Sequence, residues 1–267
     1  MIEVTPCRSR RDLVLFEEAP IRIHASDPHI VPPYPGSVVK FFRADSSFRL
    51  RHGELFPFLA RQGKRVVGRI AAILNRTHNR LHQESTGFFG FFDFVDDRSV
   101  ADALVAAATC KLRDLGMSTM RGPYNPTVND ECGLLVEGFE ERPFIMMPYN
   151  PPYYVQQYAE MDFLPRLDLY AFHIDRHCLI PPTVERIVKR VRERSGVTLR
   201  PIDVNRLEEE LHTIKDLYNA TLERNWGFVP ISDEDALDSA KELRPIVRPE
   251  MLLLAEKECG PVGFSLC

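Results

Sequence analysis

Apolar residues recur along the chain with two periods, and the switches between them mark out the elements. Ile2–Cys7 alternates as a short strand, and Ser9–Ala25 carries Leu13, Phe16, Ile21 and Ile23 as a helix interrupted by Pro20. The proline-rich stretch Asp27–Ser37 reads as a surface connection, with a cover over a cleft as the alternative. Leu55–Arg61 and Val66–Leu74 read as strands joined in a hairpin at Gly63, the second apolar enough to be central in a sheet. Ser85–Val95 (STGFFGFFDFV) is a strand whose Gly87 and Gly90 predict a bulge or a close approach by other backbone. Ser99–Leu115 is the clearest helix: Val100, Leu104, Ala108, Leu112 and Leu115 form one stripe, Ser99 is the candidate N-cap and Gly116 the stop. The pattern then predicts a short strand at Ser118–Arg121, a helix over Asn129–Gly138, an extended run at Phe144–Met147, a helix over Tyr153–Met161 and a strand over Arg166–Ile174.

After Pro181 and Pro182 the spacing gives a basic amphipathic helix, Thr183–Ser195. Val184, Ile187, Val188 and Val191 form its inner face, with Arg186, Lys189, Arg190, Arg192 and Arg194 outside. Such a charge run is usually a solvated face; the sharper alternative is a site for an anion such as phosphate. The opening order then repeats, with a strand at Val197–Ile202, a helix at Leu207–Leu222, a loop holding Trp226, and strands at Met251–Ala255 and Pro261–Leu266. A two-stranded hairpin at the end of a unit leaves a bare sheet edge. The expectation is therefore a first unit over 1–178, a linker helix over 179–196 and the first half of a second unit over 197–267. That second unit is completed either by further chain or by a strand borrowed from its neighbour, which makes a homodimer through the incomplete sheet one possible assembly.

Composition narrows the function classes. A net charge of −4 gives no general reason to expect nucleic acid or an anionic membrane as partner. No apolar run approaches the roughly 20 residues that span a bilayer, and MIEVTPCRSRRDL has no secretory core. The six cysteines are scattered without a C-x-x-C pair, which points to reduced thiols in a cytoplasmic protein. His78 and His82, and His173 and His177, are four apart but lack an acidic or cysteine partner at ligand spacing, so no metal is expected.

The stretch Arg121–Tyr154 contains Pro-Tyr-Asn-Pro twice, at Pro123–Pro126 and Pro148–Pro151. Proline fixes φ and biases the preceding residue towards extended geometry, so both copies predict stiff strand-to-helix turns. Such turns suit a binding site and equally suit a plain helix start.

The order of elements resembles the GNAT superfamily of acyl-coenzyme A-dependent N-acyltransferases, and the repeat resembles a tandem GNAT protein. The strings VVGRIAAILN, GFFGFFDFVDD, RGPYNPTVNDECGLLVEGF, MMPYNPPYY and NWGFVP resemble a bacterial group of this type. The resemblance implies an α/β fold of the α+β kind: a mixed, largely antiparallel sheet flanked by helices, then a partial second GNAT-like unit. It implies acetyl-CoA or another acyl-CoA as cofactor and a small-molecule amine as acceptor. In that superfamily the pyrophosphate sits on a helix N-terminus in a loop of the form Gln/Arg-x-x-Gly-x-Gly/Ala. The matching loop here is Val95-Asp96-Asp97-Arg98-Ser99-Val100, with no glycine and two carboxylates. Phe94, Val95, Arg98, Ser99 and Val100, with Asn125, are the cofactor-binding positions carried over.

Tyrosines often protonate the leaving thiolate in the superfamily, and a glutamate often serves as base. Tyr149 and Tyr124 are the catalytic phenols that this implies, beside Tyr153 and Tyr154, and Glu131 is the base, beside Asp130. Asn150 is a second amide that could bind pantetheine or substrate. Each has a plainer reading: a packed tyrosine, or a helix cap at Asn129-Asp130. Cys132 has no nearby histidine to activate it and is not expected to be a nucleophile. Two functions stay open: an N-acyltransferase whose activity needs sequence beyond residue 267, and a non-catalytic GNAT-like scaffold with a degenerate coenzyme loop. Tandem GNAT-like units also occur in the aminoacyl transferases of peptidoglycan bridge synthesis, a minor analogy because fold does not fix function.

Overall fold

Arg65–Asn75 (β3) is buried without a break from Val67 to Asn75, as a strand with both neighbours filled and both faces covered must be. Around it the computed structural model, which describes residues 1–144, 146–174, 177, 180–243 and 248–266, arranges two units, Met1–Leu169 and Tyr170–Cys267.

The first unit is a five-stranded sheet in the order β1-β2-β3-β4-β5, with β1 Ile2–Pro6, β2 Gly53–Gln62, β4 Thr86–Phe94 and β5 Thr119–Arg121. All neighbours are antiparallel except β4 and β5, which are parallel. This is the mixed, largely antiparallel sheet expected. Gly63 turns the β2–β3 hairpin at φ +60°. Alternation along β3 serves both faces: Ile70 and Ala72 join the cluster under α5 (Arg98–Asp114), whereas Arg69 reaches back to α1 (Arg10–Ile23). Gly87 fits this cluster because a Cβ there would lie 2.6 Å from Leu112. The capping box at Ser9 and Asp12 sets the start of α1. Short helices α2 (Val39–Phe42) and α3 (Ser47–Arg51) precede β2, α4 (Arg76–His82) links β3 to β4, and α6 (Tyr153–Glu160) packs Tyr154 and Tyr158 into the core.

Several expectations are corrected. The N-cap of α5 is Asp97, not Ser99, because the Asp97 carboxylate accepts the Ser99 N–H at 2.9 Å. Asn129–Gly138 is not a helix. Asp130 accepts from the N–H and hydroxyl of Thr127 and closes a turn, after which Glu131–Cys132 (β7) pairs with Tyr124–Asn125 (β6). The first Pro-Tyr-Asn-Pro copy thus leads into a two-stranded ribbon; only the second leads into a helix, α6. In Phe144–Met147, Ile145 lies outside the described residues and Met146 sits in a turn at φ 64°. Arg166–Ile174 forms no strand. No ladder partner holds it among the described residues, and Leu167, Leu169, Tyr170, Phe172 and Ile174 are exposed.

The second unit holds α7 (Pro182–Ser195), β8 (Thr198–Pro201), α8 (Leu207–Leu222), α9 (Asp233–Leu243), β9 (Leu252–Lys257) and β10 (Gly260–Leu266). Its sheet runs β10-β9-β8, antiparallel throughout, which repeats the pairing of β1, β2 and β3. Ile202, Leu207, Leu211, Ala240, Leu252 and Leu254 form its core. Arg200 spans Glu210 and Glu256, each at 2.8 Å. The expected inner face of α7 is not covered: Val184, Ile187, Val188 and Val191 are all exposed.

Candidate functional site

The first unit's sheet opens where β4 bulges. Arg69 pairs with Asp93 but Ala71 pairs with Gly90, so β4 carries an extra residue, and Phe91 takes a φ of 48°. Pairing of β4 with β5 stops at Phe88. The ribbon β6–β7 crosses here. The Tyr124 carbonyl oxygen lies 1.5 Å from where a Cβ on residue 90 would stand, and the Phe91 N–H donates to Asn125 Oδ1 at 2.6 Å. Gly90 therefore marks a bulge and a close backbone approach together.

Beyond the bulge, α6 closes the strand. The Phe94 N–H donates to the Tyr154 hydroxyl at 2.8 Å, the Tyr153 hydroxyl donates to the Phe94 carbonyl, and the Tyr154 ring stacks on Phe94 at 4.3 Å. The Tyr154 hydroxyl also lies 3.1 Å from Nε2 of His24, the C-cap residue of α1. His24 Nε2 is 4.0 Å from Asp93 Oδ1, while Asp93 Oδ2 accepts from Arg69 Nε at 2.6 Å. Arg69 donates its second bond to the Phe16 carbonyl at 2.8 Å and lies over the Phe16 ring. Burial pushes His24 below its ordinary 6.5, against the pull of Asp93 and Asp27, so its imidazole is neutral at pH 7. With Nε2 directed at a phenol rather than at open space, the network's evident work is to fasten α1 and α6 onto β4.

The sequence-chosen residues fall into three places. Tyr124, Asn125 and Glu131 share the β6–β7 ribbon, with Asn125 opposite Glu131 in the register. Burial pushes the Tyr124 phenol up to about 12 and raises the Glu131 carboxyl, with Asn125 and Arg69 pulling Glu131 back. Burial also raises Asp130, against its bonds to Thr127, and keeps Cys132 a thiol. Tyr149 stands apart. Its hydroxyl donates to Asp27 at 2.9 Å, and burial together with that bond raises its phenol to about 12. Asp27 thereby ties the proline-rich loop to Tyr149, and Glu17 pins the loop's far end by accepting from Gly36, Val38 and Val39. Asn150 is spent on Leu135, accepting its N–H at 2.7 Å.

Phe94, Val95, Arg98, Ser99 and Val100 meet at the start of α5. There Asp97 fills the N-terminus, and its carboxyl is held below the usual range by the Ser99 hydroxyl. Arg98 bonds Asp102 at 2.7 Å and both the side chain and carbonyl of Glu160. Gln157 donates to Asp96. A pyrophosphate at this N-terminus would meet two carboxylates and an arginine already neutralised, and the nearby Phe94 N–H is already bonded to the Tyr154 hydroxyl. The residues present do not fit a coenzyme A pyrophosphate at this position. Among the described residues no group of three or more His, Cys, Asp or Glu side chains is placed to hold a metal, and no helix is long and apolar enough to cross a membrane.

Periodicity passed over His24, Asp27, Arg69 and Asp93. A signal existed for two of them: Arg69 interrupts VVGRIAAIL and Asp93 interrupts GFFGFFDFV, opposite charges set in adjacent apolar strands. Their register confirms the match, Arg69 opposite Asp93.

No family model matches the chain. It is similar over 99% of its length to a tandem GNAT protein from the clavulanic acid biosynthesis pathway, with a TM-score of 0.56 at 16% identity and 73% of that chain covered. It is 29% identical over 262 residues to Protein YghO of Escherichia coli, and 31% identical over 263 residues to the bacterial ceramide synthase of Caulobacter vibrioides. These alignments take in 96% and 98% of this chain but 65% and 68% of the relatives, so the chain spans about two thirds of their length. A tandem GNAT fold and an alignment of this extent together show that the chain belongs to the family of the Caulobacter bacterial ceramide synthase.

Proposed function

We propose that this chain serves N-acyl transfer, in which an acyl-coenzyme A thioester acylates the amine of an amphiphilic small molecule, and that its first unit is the half that does not hold the donor. The observation that carries this reading is the 31% identity to a ceramide synthase along 98% of the chain, since a ceramide is the amide of a fatty acid with a long-chain amino alcohol. The assignment of the donor away from the first unit rests on the start of α5, where Asp97 occupies the cap and Arg98 is bound by Asp102 and Glu160. Among this chain's residues, Glu131 is the group we assign to accept the acceptor's ammonium proton, because it stands exposed on the β6–β7 ribbon with its carboxyl raised above the ordinary range. Tyr124, protonated at neutral pH, is the hydrogen-bond donor we assign to the acceptor's side, while Tyr149, whose hydrogen is held by Asp27, positions the proline-rich loop there.

The test is thiol release from palmitoyl-coenzyme A by the protein in its longest natural form, with and without sphinganine. Amine-dependent release is expected, with the donor KM changed less than about twofold by Arg98→Ala and kcat lowered by Glu131→Gln. Absence of amine-dependent release would overturn the acyl-transfer reading. A donor KM raised about tenfold by Arg98→Ala would instead put the donor on α5.

A further inference from the structure

We propose that α7 is a docking helix that lies flat on an anionic lipid surface. Pro182 opens it and Gly196, left-handed at φ 64°, ends it, so its length of about 21 Å is set by its own sequence. Every residue from Pro182 to Arg194 is exposed. At about 100° per residue, Ile187, Val191, Val184 and Val188 fall within an arc of about 100°. These four aliphatic side chains are 55%, 51%, 44% and 49% exposed, a continuous apolar stripe in water. Arg192 and Arg194 border the stripe on its two sides, and Lys189, Arg186 and Arg190 lie beyond them. Glu193 is on the far face and Glu185 beside Arg192, so the helix carries five cations against two anions in a chain of net charge −4.

Charge complementarity chooses the occupant. A second copy packed parallel on this stripe would bring the Arg192 flank of one helix against the Arg194 flank of the other, which is repulsive. A bilayer offers what the helix lacks: hydrocarbon for the stripe and phosphate for the cations on either side, with arginine stems reaching up to the headgroups. Binding of this kind needs no spanning helix. It also stands apart from the acyl-transfer reading, since neither donor nor acceptor enters it.

The experiment is co-sedimentation of the full chain with vesicles of phosphatidylglycerol and phosphatidylcholine in equal parts, and with phosphatidylcholine alone. Wild type is expected to pellet with the anionic vesicles, less so as salt rises, and weakly with the neutral ones. Changing Arg190, Arg192 and Arg194 to Gln is expected to lower partitioning about fivefold each and about a hundredfold together. Ile187→Ser with Val188→Ser is expected to lower it on both vesicle types. All five sites are exposed, so circular dichroism should be unchanged; should a variant unfold, the salt series on wild type still decides. The proposal fails if wild type stays in the supernatant with anionic vesicles at low salt. It fails equally if the triple variant binds as well as wild type, or if light scattering shows a dimer that Ile187→Ser dissociates, which would make the stripe a protein interface.

Discussion

Replacing Tyr154 by Phe removes one oxygen and leaves the packing in place, so it isolates the value of the hydrogen bonds at the end of β4. The ring is 2% exposed and would stay stacked on Phe94. Its loss strands two buried groups: the Phe94 N–H, which donates to that oxygen at 2.8 Å, and His24 Nε2 at 3.1 Å. A buried amide left without an acceptor costs about 1–3 kcal/mol, and a lost neutral hydrogen bond costs about 1 kcal/mol, so the substitution should destabilise the first unit by about 2–4 kcal/mol. For a unit of this size that is a fall in Tm of about 5–15 °C.

Two probes separate the units, because the single tryptophan, Trp226, lies in the second. Urea unfolding followed by far-ultraviolet circular dichroism should show the first-unit transition moving down, with its slope unchanged. Tryptophan fluorescence should show the second-unit transition staying put. Tyr153→Phe is the internal control. The Phe94 carbonyl it would abandon still has the Tyr154 hydroxyl at 3.4 Å, so the cost should be near 1 kcal/mol. A Tyr154→Phe variant that loses less than about 0.5 kcal/mol, or less than Tyr153→Phe, would refute the claim that the strand end is closed from within.

Four further outcomes follow from the same contacts. Burial holds both His24 and His78 below their ordinary 6.5, so the unfolded chain binds the extra protons; stability should be full above pH 6.5 and decline as pH falls from there towards the lowered folded values, and urea midpoints that stay flat across this window would contradict it. Gly90→Ala should cost about 3 kcal/mol, because the new Cβ meets the Tyr124 carbonyl, whereas Gly63→Ala, with open space around it but φ +60°, should cost about 1 kcal/mol; equal costs in chemical denaturation would count against the crossing at Gly90. Asp97→Ala should cost about 1 kcal/mol through loss of the α5 cap, measured the same way. Replacing Asp96 and Asp97 together by Gly should raise the chain's affinity for inorganic pyrophosphate, and coenzyme A should then bind no tighter than pyrophosphate in calorimetry, because Tyr153 and Tyr154 still hold Phe94.

The central sheet was legible because β2, β3 and β4 announce themselves by continuous apolar runs, and α5 by a stripe of five residues at helical spacing. The repeat was legible for the same reason, since β8, β9 and β10 copy the pattern as well as the pairing of the opening strands. Where side chains rather than backbone decide, pattern reading failed. Asn129–Gly138 has helix-like content, but Asp130 spends its carboxylate on Thr127, and Gly133 and Gly138 take φ of 98° and 87°. Arg166–Ile174 alternates as a strand should, yet alternation says which face would be buried and not what would bury it. His24 was invisible because a lone polar residue at a helix end gives no periodic signal; only the fold brings it to Tyr154, 130 positions away.

A strand that leaves its neighbour at a bulge exposes amides and carbonyls that something must satisfy. After Phe88, β4 parts from β5, and the chain supplies its own partners: Asn125 for Phe91, Tyr154 and Tyr153 for Phe94. At the start of α5 the same holds, with Asp97 on Ser99. Each of these groups has its partner within the first unit. The three closures come from separate segments, β6, α6 and the 95–97 loop, and removing any one leaves the others. A single lost glycine could reflect a loop that binds its donor in an unusual way. Three independent closures, at the bulge, at the end of β4 and at the start of α5, instead support the proposal that the donor is held elsewhere and that the β6–β7 ribbon serves the acceptor.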